Sequence, residues 1–120
     1  MDKKIIIAGG RNFNDYDFLK KSVLNFISKF DKTDIEIVSG GAKGVDALGE
    51  RFAKEQNIEF VIFPADWAKY GRSAGPKRNA QMAKYATHLL SFWDGKSKGT
   101  KSMINLARKN DLVVEIVSID

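Results

Sequence analysis

The feature that most constrains this chain is an alternation of short apolar runs with segments of helical period. Ile5-Ile6-Ile7-Ala8, Ile35 to Val38, Ile58 to Phe63, His88 to Trp93 and Leu112 to Val117 are rich in β-branched and aromatic residues and read as buried strands. Between them, Leu19, Val23, Phe26, Ile27 and Phe30 recur at helical spacing, as do Val45, Leu48 and Phe52. Pro76 suits the first position of a third helix, and Met103, Ile104 and Ala107 mark a fourth. Five strands alternating with four helices predict an α/β sandwich around a parallel five-stranded sheet with right-handed crossovers. In such a sheet the strand-to-helix loops emerge on one edge, at the carboxyl ends of the strands, where ligands bind. Gly9 to Arg11, Ser39 to Gly44, Pro64 to Gly75 and Asp94 to Thr100 are therefore expected to share one face.

The 120 residues suit one domain, 1–120, with a single core. Hydrophobic residues at 43% and charged residues at 29% place the chain with ordinary globular proteins rather than disordered ones. No apolar run approaches the roughly 20 residues needed to span a bilayer, so no membrane partner is expected. Met1-Asp2-Lys3-Lys4 has no signal-peptide layout. The absence of cysteine excludes disulfides, thiolate metal sites and cysteine nucleophiles, and it fits a reducing compartment. The expected location is cytoplasmic. The net charge of +5 comes mostly from lysines spread along the chain, which a solvated basic surface explains without a polyanionic partner.

Within that frame one stretch points to chemistry. In Ile37-Val38-Ser39-Gly40-Gly41-Ala42-Lys43-Gly44-Val45-Asp46-Ala47-Leu48 a strand stops at three glycines within five residues and a helix follows at once. Glycines let the backbone turn sharply and approach another group, and the first N–H groups of a helix lack intrahelical partners. Such a loop can hold a phosphate, although its spacing is neither the dinucleotide fingerprint nor the Walker pattern. The connection Pro64 to Gly75, about twelve residues, is long beside a median of about 4 to 6 and carries Trp67, Tyr70 and Arg72.

Charge placement sharpens the expectation. The positive end of a helix dipole favours acids. Asn14-Asp15-Tyr16-Asp17 obeys this rule, but Lys43 precedes the second helix, Lys77 and Arg78 open the third, and Lys96, Lys98 and Lys101 surround the start of the fourth. An anionic ligand would offset these cations. The second and fourth loops are the expected phosphate cradles, and Arg11 and Arg78 can clamp a phosphate or carboxylate bidentately.

The motifs Gly9-Gly10-Arg11-x-Phe13, Ser39-Gly40-Gly41-Ala42-x-Gly44-x-Asp46, Ala65-Asp66-Trp67, Ala74-Gly75-Pro76-x-Arg78-Asn79 and Asp94-Gly95-x-Ser97-x-Gly99-Thr100-x-x-Met103 run in order over nearly the whole chain. Together they resemble the YspA-like branch of the SLOG superfamily, named after the Smf/DprA proteins and the LOG enzymes. The resemblance implies a Rossmann-like three-layer sandwich with strand order 3-2-1-4-5 and a pocket for nucleotides or nucleotide-derived ligands. The superfamily includes ligand sensors of nucleotide-signalling and conflict systems, DNA-processing proteins, and phosphoribohydrolases that cleave an N-glycosidic bond. Those hydrolases carry P-G-G-x-G-T-x-x-E in the fourth loop. Met103 stands at the glutamate position here, which argues against that reaction.

The resulting ligand site comprises Gly9, Gly10, Arg11, Ser39, Gly40, Gly41, Ala42, Lys43, Gly44, Asp46, Trp67, Arg78, Asn79, Trp93, Asp94, Ser97, Lys98, Gly99 and Thr100. Asp46 can hold a ribose hydroxyl, a metal or Arg11, or cap its helix; Asp94 can do the same or shape a turn. These two are the candidate catalytic acids. Trp67 and Trp93 can stack on a base or pack under a loop. His88, at the start of a strand, is expected to be structural. No metal motif is present, no cofactor is required, and Mg2+ enters only through the phosphates of a ligand. The leading expectation is a non-catalytic binder of a nucleotide or ADP-ribose-like metabolite, a sensor or a sequestering protein. A nucleotide N-glycosidic hydrolase using Asp46 or Asp94 is the alternative from enzymology. A single-stranded DNA-binding protein is a third reading, set aside for want of an extended basic-aromatic groove. The superfamily's small members commonly pair, and Phe13, Tyr16 and Phe18 add apolar surface, so a homo-oligomer is expected.

Overall fold

A computed structural model describes residues 2–119; Met1, part of the opening read above, and Asp120 lie outside the described residues. The strands are β1 (Lys3–Gly9), β2 (Ile35–Ser39), β3 (Glu59–Ile62), β4 (His88–Trp93) and β5 (Val113–Ser118). The helices are α1 (Tyr16–Ile27), α2 (Val45–Glu55), α3 (Trp67–Tyr70), α4 (Ala74–Tyr85) and α5 (Lys98–Lys109). All strand pairs are parallel, in the order β3-β2-β1-β4-β5. This is the Rossmann-like α/β architecture that the alternation and the resemblance imply.

The pleat explains how one apolar run serves two layers. Successive side chains of a strand point to opposite faces. Ile5 and Ile7 therefore join Leu19, Val23 and Phe52 under α1 and α2, while Ile6 joins Met82, Met103 and Ile104 under α4 and α5. A buried central strand needs apolar residues at every position for this reason, and Ile5, Ile6 and Ile7 are almost fully inaccessible.

Several boundaries differ from expectation for identifiable reasons. Asp15 stands outside α1 as its cap, its carboxylate accepting the Phe18 N–H at 3.1 Å, so that Asp17 is the acid left within the first turn. The long connection is not a bare loop. Asp66 caps the single-turn α3 through the Lys69 N–H at 3.1 Å, and a 3-10 turn, Gly71–Ser73, leads directly into α4. Consequently α4 starts at Ala74 and Pro76 occupies its third position, where a missing N–H still costs nothing because first-turn amides have no intrahelical acceptor. Helix α5 begins at Lys98, capped by Ser97, so Gly99 and Thr100 are helical rather than loop residues. Tyr16 is buried, with its hydroxyl donating to Glu55 at 2.5 Å, and it contributes no spare apolar surface; Phe18 remains exposed.

The connections leaving β1, β2, β3 and β4 lie at the carboxyl edge of the sheet. Strand order runs one way from β1 through β2 to β3 and the other way from β4 to β5, so β1 and β4 bracket the reversal. A crevice is expected at that point. None of the described helices is long and apolar enough to cross a membrane.

Candidate functional site

A cleft of about 1010 Å³ opens at this reversal point. Its floor is apolar, with Ala8 from β1, Met82 from α4 and Met103 from α5. Arg11, Asp46, Arg78 and Asn79 supply its polar groups, and aromatic walls come from Trp67 on one side and Phe13 and Phe18 on the other. Phe13 and Phe18 meet edge-on with centroids 6.2 Å apart, and both pack on the fully buried Phe92. Trp67 lies under the Arg11 guanidinium, 5.9 Å from its carbon, and is half exposed.

The polar centre of the cleft is a three-residue arrangement. Arg78, 8% exposed, donates through Nη1 to the Gly40 carbonyl and through Nε to Asn79 Oδ1 at 2.9 Å. Asp46, 6% exposed, accepts the Ala42 N–H on Oδ2 at 3.2 Å. A side chain on Gly40 would place its Cβ 2.8 Å from Arg78 Nη1 and 2.9 Å from Asp46 Oδ2, so the bare backbone there lets cation and acid approach the same loop. Burial raises the Asp46 pKa to about 6; the Ala42 amide and the Arg78 and Arg11 charges oppose the rise without cancelling it. Burial likewise weakens the hold of Arg78 on its proton, against the pull of Asp46.

The amides of the glycine loop have less to offer than the sequence suggests. Gly41 N–H donates to Ser39 Oγ at 3.1 Å, Ala42 N–H to Asp46, and Val45 N–H to the Gly10 carbonyl at 3.2 Å. Gly44, at φ +72°, packs against the backbone of Gly10 and Arg11, with a would-be Cβ 2.6 Å from the Arg11 carbonyl carbon. The β1 loop thus caps α2 where a phosphate was expected. Ser39 also donates to Glu50 at 2.5 Å and lies beneath the loop.

In the fourth loop the acid of the chain occupies the turn. Asp94 Oδ1 accepts the Ser97 and Lys96 N–H groups, both at 2.8 Å, and these bonds hold its carboxyl below the usual range. It shapes the turn and lines the cleft at once. Ser97 Oγ accepts from Thr100 N–H and Oγ1 at 3.4 and 3.1 Å, leaving Gly99 in open space at the cleft wall.

Of the residues named from sequence, Gly9, Gly10, Arg11, Ala42, Asp46, Trp67, Arg78, Asn79, Asp94, Ser97, Gly99 and Thr100 line the cleft. Ser39, Gly40, Gly41, Lys43, Gly44, Trp93 and Lys98 do not, although Gly40 and Gly44 shape it from behind. Trp93 is tied down, its indole N–H donating to the Ser97 carbonyl at 3.0 Å, and packs with the α4–α5 core. The cleft also gathers Phe13, Phe18, Met82, Ser118 and Ile119, which are not among the site residues expected from sequence. Phe13 was visible beside Arg11 as part of a motif; Ile119 carries no local signal, because only the register of β5 brings it there. His88 lies at the opposite end of β4 against Phe26 and Phe30. Among the described residues no group of three His, Asp or Glu side chains could hold a metal ion.

Comparison with known proteins adds three findings. A protein of Mycobacterium phage D29, the Gene 61 protein, is 28% identical over 118 residues, covering 93% of this chain and 94% of its own. The X-ray structure of DNA processing protein A (DprA) from Streptococcus pneumoniae superposes with a TM-score of 0.78 at 15% identity over 100% of this chain, a likeness of fold. The chain spans only about half, 51%, of that DprA chain. The family described as YAcAr, YspA, cpYpsA-related SLOG, matches residues 3–70, from β1 through the glycine loop to α3. By that match over more than half its length, the chain belongs to the YspA, cpYpsA-related SLOG family.

Proposed function

We propose that the cleft binds a phosphate-bearing nucleotide or an ADP-ribose-like metabolite, and that the protein acts as a sensor or a sequestering protein for it. The observation that carries this reading is the convergence of Arg11 and Arg78 with Trp67 on one cleft in which Asp46 is the buried acid. Two guanidinium groups clamp phosphate or carboxylate oxygens in a fork, and aromatic faces take a heterocycle. The anion contacts come from the guanidinium groups and from the α5 start at Gly99 and Thr100; the amides of the second loop serve its own fold. Mg2+ accompanies the ligand as a phosphate counter-ion. The protein is read as cytoplasmic because its lack of cysteine fits a reducing compartment, and as a homo-oligomer on family grounds.

Isothermal titration against nucleoside mono- and diphosphates and ADP-ribose tests the reading. Micromolar binding that Arg11→Ala and Trp67→Ala both abolish is the expected result, and no heat across the panel would overturn it.

Asp46 favours one second reading. A buried carboxyl with a pKa of about 6 suits a general acid. In N-glycosidic hydrolysis it would protonate the departing base as the C–N bond breaks, and water would add to the sugar carbon. Chromatography of ligand recovered after long incubation separates the readings: released base supports hydrolysis, and intact ligand supports binding alone.

A further inference from the structure

Among the described residues the exposed aromatic rings are Phe18, Trp67 and Tyr70, at 40%, 50% and 40%. Phe18 and Trp67 line the cleft, and Tyr70 does not. The two that line it come from opposite layers of the sandwich. Phe18 belongs to α1, and Phe13, which meets it edge-on, packs with the core under α1 and α2. Trp67 lies against α4, where a Cβ on Gly75 would stand 3.3 Å from the indole and 3.9 Å from Arg78 Nη2. A ring left in water forgoes the free energy of burial, and grouped exposed rings mark binding surfaces. Two such rings on opposite walls of one cavity point to a ligand that reaches both.

Charge divides the cleft in the same way. Its lining residues include two cations, Arg11 and Arg78, and both belong to the Trp67 side: the Arg11 guanidinium carbon is 5.9 Å from the indole, and Arg78 projects from α4. The polar residues beside Phe18 are Asn14 and Asp15, and the Asp15 carboxylate accepts the Phe18 N–H at 3.1 Å. A phosphate at that end would meet a carboxylate and no guanidinium. A heterocycle would meet the rings of Phe13 and Phe18, with an amide at its rim that both donates and accepts. The cleft, at about 1010 Å³, stands at the upper end of the roughly 300–1,000 Å³ typical of small-molecule sites, which leaves room for both ends to be filled at once.

We infer that Phe13 and Phe18 form a second ring-binding subsite, and that the ligand of the cleft carries two ring systems joined through a phosphate bridge, one ring on Trp67 and the other on Phe18. The inference rests on the reading of the cleft as a nucleotide site and narrows it. The bridging phosphates meet Arg11 and Arg78, and the far end of the ligand is a neutral or cationic ring in place of a terminal phosphate or a bare sugar. Isothermal titration of the full chain with ADP-ribose, NAD+ and diadenosine diphosphate tests it, because the three share an adenosine diphosphate and differ in what lies beyond it. At least one of the two-ring ligands should bind about tenfold or more tightly than ADP-ribose. Phe18→Ala should remove that advantage while changing the ADP-ribose affinity less than about twofold, and Phe18→Trp, which keeps a ring, should retain it. Tyr70→Ala, which removes an exposed ring outside the cleft, should leave all three affinities unchanged. The exposure of Phe18 keeps these replacements out of the core, and the melting transition of each variant confirms its fold. If ADP-ribose binds as tightly as both two-ring ligands, or if Phe18→Ala leaves the advantage in place or lowers all three affinities alike, the inference falls and the nucleotide reading stands. Failure of all three to bind, together with the mono- and diphosphates, would remove the nucleotide reading and this inference with it.

Discussion

The Arg78 guanidinium donates a hydrogen bond to the carbonyl oxygen of Gly40, tying the second turn of α4 to the loop that follows β2. That contact spans 38 residues of sequence and crosses from one layer of the sandwich to the sheet edge. It turns the backbone of a glycine loop into the seat of a cation, so the anion-attracting group at the cleft centre is a side chain from another element.

Gly40→Ala should cost stability and disrupt the cleft together. Its Cβ would meet Arg78 Nη1 at 2.8 Å and Asp46 Oδ2 at 2.9 Å, and neither group can retreat freely because both are buried. Overpacking of this kind costs about 1–3 kcal/mol. Urea unfolding should report that loss, and titration with whichever nucleotide binds the wild type should show affinity reduced at least tenfold.

Arg78→Lys keeps the charge and loses the fork. A lysine cannot donate to Gly40 and Asn79 while presenting a further N–H to a ligand. The variant should fold, lose about 1–2 kcal/mol of stability, and bind an anionic ligand more weakly than the Asn79→Ala protein does. Equal affinity of Arg78→Lys and wild type would show that the guanidinium is structural only.

Two glycines should respond in opposite directions. Gly44 sits at φ +72° with its would-be Cβ against the Arg11 carbonyl, so Gly44→Ala should destabilise by about 2 kcal/mol or more. Gly99 lies in the first turn of α5 with nothing within 4 Å of a Cβ, and Gly99→Ala should stabilise by roughly 0.5–1 kcal/mol through helix propensity. Thermal melts of the pair check both signs. A loss of ligand binding in the stabilised Gly99 variant would place the ligand against the start of α5.

The parts of this molecule that were legible in the sequence are those governed by local pattern. Ile5-Ile6-Ile7 could be nothing but a strand buried on both faces, and Asn14-Asp15-Tyr16-Asp17 announces α1 by residue type. Trp67–Tyr70 escaped because one turn is too short to have a period; it forms because Asp66 caps it and Trp67 finds Gly75. The gathering of Gly9, Arg11, Asp46, Arg78 and Asp94 at one cleft followed from topology, since parallel strands send all these loops to one edge. What sequence could not give was the partner of each amide. That Val45 donates to Gly10, and that Asp94 takes the Ser97 and Lys96 amides, depends on contacts settled only in the folded chain. Trp93 and Trp67 look equivalent in a motif, yet one indole is bonded beneath the fourth loop and the other faces the cleft.

That difference supplies an optical test. Ligand entering the cleft should change the emission of Trp67, which is 50% exposed, and leave Trp93 nearly untouched. Trp67→Phe should therefore abolish the fluorescence change on titration, whereas Trp93→Phe should preserve it. The reverse pattern would move the ligand to the far side of the α5 loop.

Asp46 fixes the final prediction, because its carboxylate is destabilised by the fold. Its pKa rises from an ordinary aspartate value of 3.8 to about 6, chiefly through burial. The native protein therefore holds this proton more tightly than the unfolded chain does, and stability falls as pH rises between about 4 and about 6. Above that window the penalty is constant, at about 3 kcal/mol for a shift of roughly two units. Below about pH 4 the group is neutral in the native state and the penalty vanishes. Asp46→Asn removes the charge and keeps an acceptor for the Ala42 N–H. It should raise the melting temperature at about pH 7.5, leave it nearly unchanged at about pH 4, and flatten the dependence in between. A variant less stable than wild type at the higher pH would mean that attraction of the carboxylate to Arg78 and Arg11 outweighs the cost of burying it. The melting curves thereby fix the pH range over which Asp46 presents a carboxylate beside the two guanidinium groups.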